Sequence, residues 1–270
     1  MINNVDNKHK VVILCVCLNQ QYWQYLLPMM DSARKFLLKG SELEFLVWTD
    51  MPPNTDLGKN VIIYPTEPMG WPAPTLCRYN LFLEQQEKIM ESDFAFYIDS
   101  DMLFVSRVGE EILGEGLTAA QHPMYALADM YVPPYEPNPK STAFIPRVGR
   151  VLTSPSGKKK FQPLYYAGGF QGGRPAEFIK AMKEMKKNID KDMSNGYISI
   201  WNDESHWNKY LFKHPPAVVL SPSYIYPDSL IKAYYQKVWG RSYVPKLITL
   251  TKKFSMSKEG GVALTQLLQQ

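Results

Sequence analysis

Asp99-Ser100-Asp101 sets two carboxylates two residues apart, directly after the apolar run Phe94-Ala95-Phe96-Tyr97-Ile98. From the end of a strand both can reach one divalent cation, and hard oxygen donors suit Mg²⁺ or Mn²⁺ held jointly with a diphosphate. A solvated strand-end turn uses the same residue types, so spacing alone leaves both readings open. A second acidic pair lies in Trp201-Asn202-Asp203-Glu204-Ser205-His206, where a helix is expected to start. The helix dipole favours carboxylates there whatever their role, and a carboxylate so placed can also serve as base, nucleophile or ion-pair stabiliser. His206 by itself reads as a hydrogen-bonding structural residue, and no Ser–His–Asp arrangement is supported. The run Tyr165-Tyr166-Ala167-Gly168-Gly169-Phe170-Gln171-Gly172-Gly173 permits close backbone approach to a ligand, and equally a bulged strand or hairpin. It lacks the Lys-Ser/Thr of a phosphate-binding loop and the glycine order of a dinucleotide fingerprint.

These residues need elements to hold them. Val11-Val12-Ile13-Leu14-Cys15-Val16-Cys17 is apolar and β-branched, as in a buried parallel strand. Residues 20–39 read as a helix ending near Lys39-Gly40, with Pro28 predicting a kink or a later start. Leu43 to Trp48 and Val61 to Tyr64 read as strands, residues 75–90 as a helix, and Phe94 to Ile98 as a fourth strand. Such alternation predicts an α/β fold with a mostly parallel sheet, and ligands in such sheets bind beyond the carboxyl ends of the strands. Residues 132–163, rich in proline, predict a long irregular surface excursion. Helices are expected over about 175–188 and 203–212, and the basic stretch after Gly240 reads as a flexible tail.

Composition bounds the rest. A chain of 270 residues with 45% hydrophobic residues can bury a core, so wholesale disorder is excluded. The net charge of +4 is too small to make nucleic acid the main partner. Three cysteines make no disulfide framework, and Cys15 and Cys17 read as small buried hydrophobes. No apolar run approaches membrane-spanning length and the first residues have no signal-peptide core, so a soluble, cytoplasmic protein is expected.

Taken in order, the segments resemble glycosyltransferase family 6, the retaining family of the ABO blood-group transferases. The resemblance rests on Phe45-Leu46-Val47-Trp48-Thr49-Asp50, Trp71 with Arg78, Tyr97-Ile98-Asp99-Ser100-Asp101 and His122-Pro123. It continues through Ala143-Phe144-Ile145-Pro146, the glycine-rich run, Asn195-Gly196, Trp201 to His206 with Asn208-Lys209-Tyr210, and Leu220-Ser221-Pro222. It covers about residues 10–255 and implies a GT-A (Rossmann-like nucleotide-sugar binding) fold in a single catalytic domain. Within it, about 10–101 would be the nucleotide half, 102–240 the donor-sugar and acceptor half, and 241–270 the flexible basic tail.

The resemblance also implies an activity: α-1,3 transfer of GalNAc or Gal from a UDP-sugar to a galactoside acceptor, without nucleic acid. By matched position, Asp99 and Asp101 would bind Mn²⁺ or another divalent cation. Tyr22, Arg78, Ala167, Gly168, Gly169, Asp203, Lys246 and Lys252 would bind the donor, and Glu204 would be the catalytic glutamate beside the anomeric carbon. His122, Trp201 and Glu204 would meet the acceptor. Gly169 would leave room for the acetamido group, favouring UDP-GalNAc, with UDP-Gal or a lapsed sugar- or nucleotide-binding module as alternatives. Glu204 would act either as a nucleophile or as a stabiliser of the cation during front-face attack. Departures from the family pattern fall on Cys17, where an aromatic near uracil is expected, on Asn202 and Trp207, and on extra residues around Val148–Lys160. The missing anchor and stem of the Golgi enzymes imply a soluble bacterial or phage-type member.

Overall fold

The computed structural model describes residues 8–52, 56–123, 134–146, 165–228 and 244–251, together with the backbone of 151–153 and 159–161. The expected excursion at 132–163 is therefore described only in part, and Lys252 with the rest of the tail beyond 251 lies outside the described residues.

The chain opens with strand β1 (Lys10–Val16), helix α1 (Asn19–Phe36) and strands β2 (Glu42–Thr49) and β3 (Val61–Pro65). The expected helix at 75–90 is three short ones, α2 (Ala73–Leu76), α3 (Arg78–Glu84) and α4 (Gln86–Met90), jointed at Cys77 and Gln85. Strands β4 (Phe94–Ile98), β5 (Met102–Phe104) and β6 (Leu117–Gln121) follow. Within the proline-rich stretch, β7 (Val151–Thr153) and β8 (Lys159–Phe161) pair antiparallel. The glycine-rich run is strand β9 (Tyr166–Gly173). Helices α5 (Pro175–Ser194) and α6 (Asn202–Lys213) come next, then β10 (Val218–Leu220), β11 (Tyr226–Pro227) and β12 (Leu247–Thr249).

Seven strands form the main sheet in the order β10-β6-β9-β4-β1-β2-β3. The β3-β2-β1-β4 half is parallel, β10 is parallel to β6, and β9 runs antiparallel between β4 and β6. This is the mostly parallel, helix-flanked sheet of a GT-A-like glycosyltransferase fold. Alternation along β1 explains its uninterrupted apolar run. Val11, Ile13 and Cys15 pack with Leu26, Met29 and Ala33 of α1 on one face, while Val12 and Leu14 pack with Tyr79, Phe82, Phe178 and Trp207 on the other. Both faces are covered, which favours apolar side chains throughout Val11–Cys15.

Pro28 sits inside α1 without ending it. An interior proline costs about 3 kcal/mol, and the buried Leu26, Met29, Met30 and Ala33 that surround it offset this through their packing. The expected flexible tail also begins differently. Residues Leu247–Thr249 pair antiparallel with Met102–Phe104 and parallel with Tyr226–Pro227, with Leu247 and Ile248 fully buried.

Candidate active site

Strands β1 and β4 are parallel neighbours; the chain leaves β1 into α1 and leaves β4 through Asp99–Asp101 into the short strand β5, with a crevice at the carboxyl ends of the pair. A cavity of about 510 Å³ lies there. Tyr22 and Trp71 line it near Val16 and Leu18 from the end of β1, while Arg78, Tyr97, Asp99 and Asp101 come from α3 and the end of β4. Trp71 is 69% exposed, an unusual setting for so large a ring. Cys17 is not among the lining residues. It is buried behind Ser100, and burial pushes its thiol up to about 12.

Arg78 is the hub. Its guanidinium lies 4.3 Å from the Tyr97 ring centre, with Nη1 3.6 Å from Asp99 Oδ1 and Nε 3.6 Å from Asp203 Oδ2. Nε is buried and hydrogen-bonded to nothing among the described residues. The Tyr97 hydroxyl donates to Asp99 Oδ1. Asp203 is 4% exposed, and burial lifts its carboxyl to about 6 despite the opposing charge of Arg78.

Strand β9 separates the acids. Its register against β4, with Tyr97 opposite Gln171 and Ile98 opposite Phe170, carries Gly169 to the level of Asp99. The Asp99 amide donates to the Gly169 carbonyl at 3.1 Å. A Cβ on Gly169 would stand 2.5 Å from Asp99 Oδ2, and one on Gly168 would stand 3.1 Å from Glu204 Cβ. Each glycine thus lets a carboxylate approach the strand more closely than any side chain would allow.

Glu204, in the first turn of α6, accepts from the Tyr165 hydroxyl at 2.7 Å through Oε1 and from the Gly168 amide at 2.7 Å through Oε2. Burial raises its carboxyl to about 7, against the lowering effect of those two donors. Asn208 fixes the strand beside it, accepting from the Tyr166 amide and donating to the Tyr166 carbonyl, each at 2.8 Å. Ala167, also buried, belongs to the same strand.

The other expected site residues are placed variously. The His122 amide donates to the Tyr165 carbonyl, its ring meets the Tyr165 ring edge-on at 5.8 Å, and burial lowers its imidazole to about 4, so it is neutral at pH 7. Trp201 is half-exposed at the head of α6, its amide donating to Ser205 Oγ at 3.1 Å. Lys246 is not brought into the cavity. It ion-pairs with Glu111 and lies over the Tyr224 ring, just before β12, where its carbonyl accepts from the Val105 amide at 3.0 Å, four residues past Asp101. Three contributors escaped the sequence reading: the hydroxyls of Tyr97 and Tyr165, and the buried amide of Gln171. A lone amide in a buried strand was the signal for the last.

Among the described residues no group of three or more His, Cys, Asp or Glu converges. Asp99 and Asp101 supply two hard oxygen ligands at one cavity, which fits a cation completed by ligand phosphate and water and does not fit a closed protein cage.

The sequence profile of Glycosyltransferase family 6 matches residues 2–247. The rat Histo-blood group ABO system transferase 1 (Rattus norvegicus) is 31% identical over 220 residues, 78% of this chain and 60% of that protein. The human Globoside alpha-1,3-N-acetylgalactosaminyltransferase 1 (Homo sapiens) is 29% identical over 216 residues, 77% of this chain and 58% of that protein. The chain thus spans about three fifths of the length of these relatives. No helix among the described residues is long and apolar enough to cross a membrane. The profile match extends from the first strand to the start of the last and takes in both acidic pairs and the glycine-rich strand between them, and the chain belongs to glycosyltransferase family 6.

Proposed function

We propose that the protein transfers N-acetylgalactosamine from UDP-GalNAc to a galactoside hydroxyl, forming an α-1,3 linkage with retention at the anomeric carbon. The observation that carries this reading is one glycine pair with a carboxylate against each member, Asp99 against Gly169 and Glu204 against Gly168. One acid opens onto the cavity of Arg78 and Asp101, and the other is half-buried and held by two donors. That separation suits a reaction in which negative charge collects on a leaving diphosphate while positive charge develops on a sugar ring.

In this reading Tyr22 and Trp71 offer rings to the nucleobase, and Arg78 offers its buried Nε to a donor oxygen. Asp203 accepts from hydroxyls of the donor sugar. Asp99 and Asp101 would hold Mn²⁺ or a similar cation, which supplies charge neutralisation to the diphosphate when bound. Glu204, ionised, stabilises the cationic anomeric centre, and its burial strengthens that interaction by excluding water. The neutral His122 and the half-exposed Trp201 are the residues offered to the acceptor. Lys252 is a further donor-side expectation carried by the resemblance alone.

UDP-Gal is the second reading. The space that an acetamido group was expected to use at Gly169 is bounded by Asp99 and by Ile225 Cδ1, 3.3 Å from a Cβ there, so this glycine has a geometric reason independent of the sugar. The test is a comparison of kcat/KM for UDP-GalNAc and UDP-Gal on one galactoside acceptor with Mn²⁺. A higher value for UDP-GalNAc supports the first reading, and the reverse installs the second.

A further inference from the structure

Gln171 is fully buried at the centre of β9, the one side-chain amide in a strand otherwise built of glycine, alanine and aromatic residues. A buried primary amide is costly unless its donors and acceptor are used. Here they reach three elements. Nε2 donates to the Gly168 carbonyl at 2.9 Å and approaches Asp203 Oδ2 at 3.5 Å, while Oε1 accepts from the Tyr79 hydroxyl at 2.9 Å. The amide can point only one way, because the Gly168 carbonyl needs a donor and Nε2 is the group that supplies one. Gly168 is also the residue whose amide binds Glu204.

We propose that Gln171 is a positioning residue for the transfer reaction: braced by Tyr79, it fixes the carboxylate of Asp203 directly and that of Glu204 through the peptide groups of Gly168. This rests on the transferase reading above. The geometry explains why a polar side chain occupies the middle of a sheet with both faces buried. The strand backbone alone can hold Glu204, since the Gly168 amide is its partner. It has nothing to offer Asp203, whose neighbour across the strand is a side chain. Arg78 supplies the charge facing Asp203 at 3.6 Å, Gln171 Nε2 stands at 3.5 Å from the same oxygen, and the Tyr79 hydroxyl that braces Gln171 also reaches Asp203, so Gln171 and Tyr79 orient the carboxylate that Arg78 balances. Gln171 also ties the two acids together, because its Nε2 reaches both Asp203 and the carbonyl of Gly168, the residue whose amide holds Glu204. Lowered support of Asp203 by Gln171 leaves the cavity residues Tyr22, Asp99 and Asp101 untouched, so the proposal separates binding of the nucleotide from use of the sugar.

The test is Gln171→Met, which keeps length and volume and removes donor and acceptor, with Tyr79→Phe as the milder partner that leaves both Nε2 contacts in place. UDP affinity, donor KM, kcat and melting temperature are measured on the full chain with Mn²⁺. For Q171M we expect kcat/KM for the UDP-sugar to fall about ten- to a hundredfold, the loss of a hydrogen bond to a charged group, with UDP affinity unchanged within about twofold. Y79F should move in the same direction by less, since it leaves both Nε2 contacts of Gln171 in place. An active wild type with unchanged kcat/KM in a folded Q171M overturns the inference, as does a parallel loss of UDP affinity, which marks a merely structural role. A wild type that turns over no UDP-sugar overturns the transferase reading first, and the inference with it.

Discussion

Glu204 is a carboxylate held where a carboxylate is expensive. Its folded pKa of about 7 lies above the usual value of 4.5 because burial disfavours the charge. The stability this lends is therefore full below about pH 4.5 and is lost as pH rises through about 7, and the loss at high pH amounts to about 3 kcal/mol. Glu204→Gln should accordingly melt higher than the wild type at pH 8 and close to it at pH 4, checked by calorimetry at both. In the same variant kcat should fall about 100- to 1000-fold with UDP affinity little changed, since one electrostatic contact in the transition state is removed. In the wild type, kcat should rise with pH up to about 7, where the carboxylate charges. Asp101 is the companion case at the cavity. Asp101→Asn removes a charged oxygen ligand, so transfer should become weak and need far more Mn²⁺, and EDTA should abolish wild-type transfer until Mn²⁺ is restored. Full transfer by the metal-stripped protein would remove the cation from the account.

At the scale of elements, β9 is the part that arranges the chemistry. Gly169→Ala puts a Cβ within 2.5 Å of Asp99 Oδ2, so the carboxylate must move. Transfer from UDP-GalNAc and from UDP-Gal should therefore fall together, by at least about tenfold, whereas the resemblance predicted a selective loss of GalNAc transfer. Parallel kinetics with both donors decide between the two. The strands of the nucleotide half were legible because two buried faces demand an unbroken apolar run, which Val11 to Cys15 and Phe94 to Ile98 display. The strand-end acids were legible for the same reason, since polarity returns where the sheet stops. The glycine run was ambiguous because glycine carries no periodicity. Only its pairing with both β4 and β6 makes it a strand, and that pairing is tertiary. Helix α1 was placed well despite Pro28, while 75–90 broke at two joints that no proline or glycine marks. Tyr165 and Gln171 stayed hidden because their partners lie 39 and 32 residues away in sequence.

Across the whole molecule, the last described strand ties residues 247–249 to the strand that follows the cavity acids. The Leu250 amide donates to the Asp101 carbonyl at 2.8 Å, and Leu247 and Ile248 are buried against the two sheets. Leu247→Ala should cost about 2–5 kcal/mol of stability, a large core truncation. Lys246→Ala should cost less than about 1 kcal/mol, because its pair with Glu111 is partly solvated, and should leave the donor KM within about threefold. A sharp rise in donor KM for Lys246→Ala would return that lysine to the diphosphate, as the resemblance implied. The acids gathered around β9 are proposed to carry out retaining glycosyl transfer. The most direct measurement is NMR of the product formed from UDP-GalNAc and a galactoside with Mn²⁺, by wild type and by Glu204→Gln. The account predicts an α-linked GalNAc on the 3-hydroxyl from the wild type and at least about a hundredfold less of it from the variant. A β-linked product, no transfer from any UDP-hexose, or equal yields from the two proteins would contradict it.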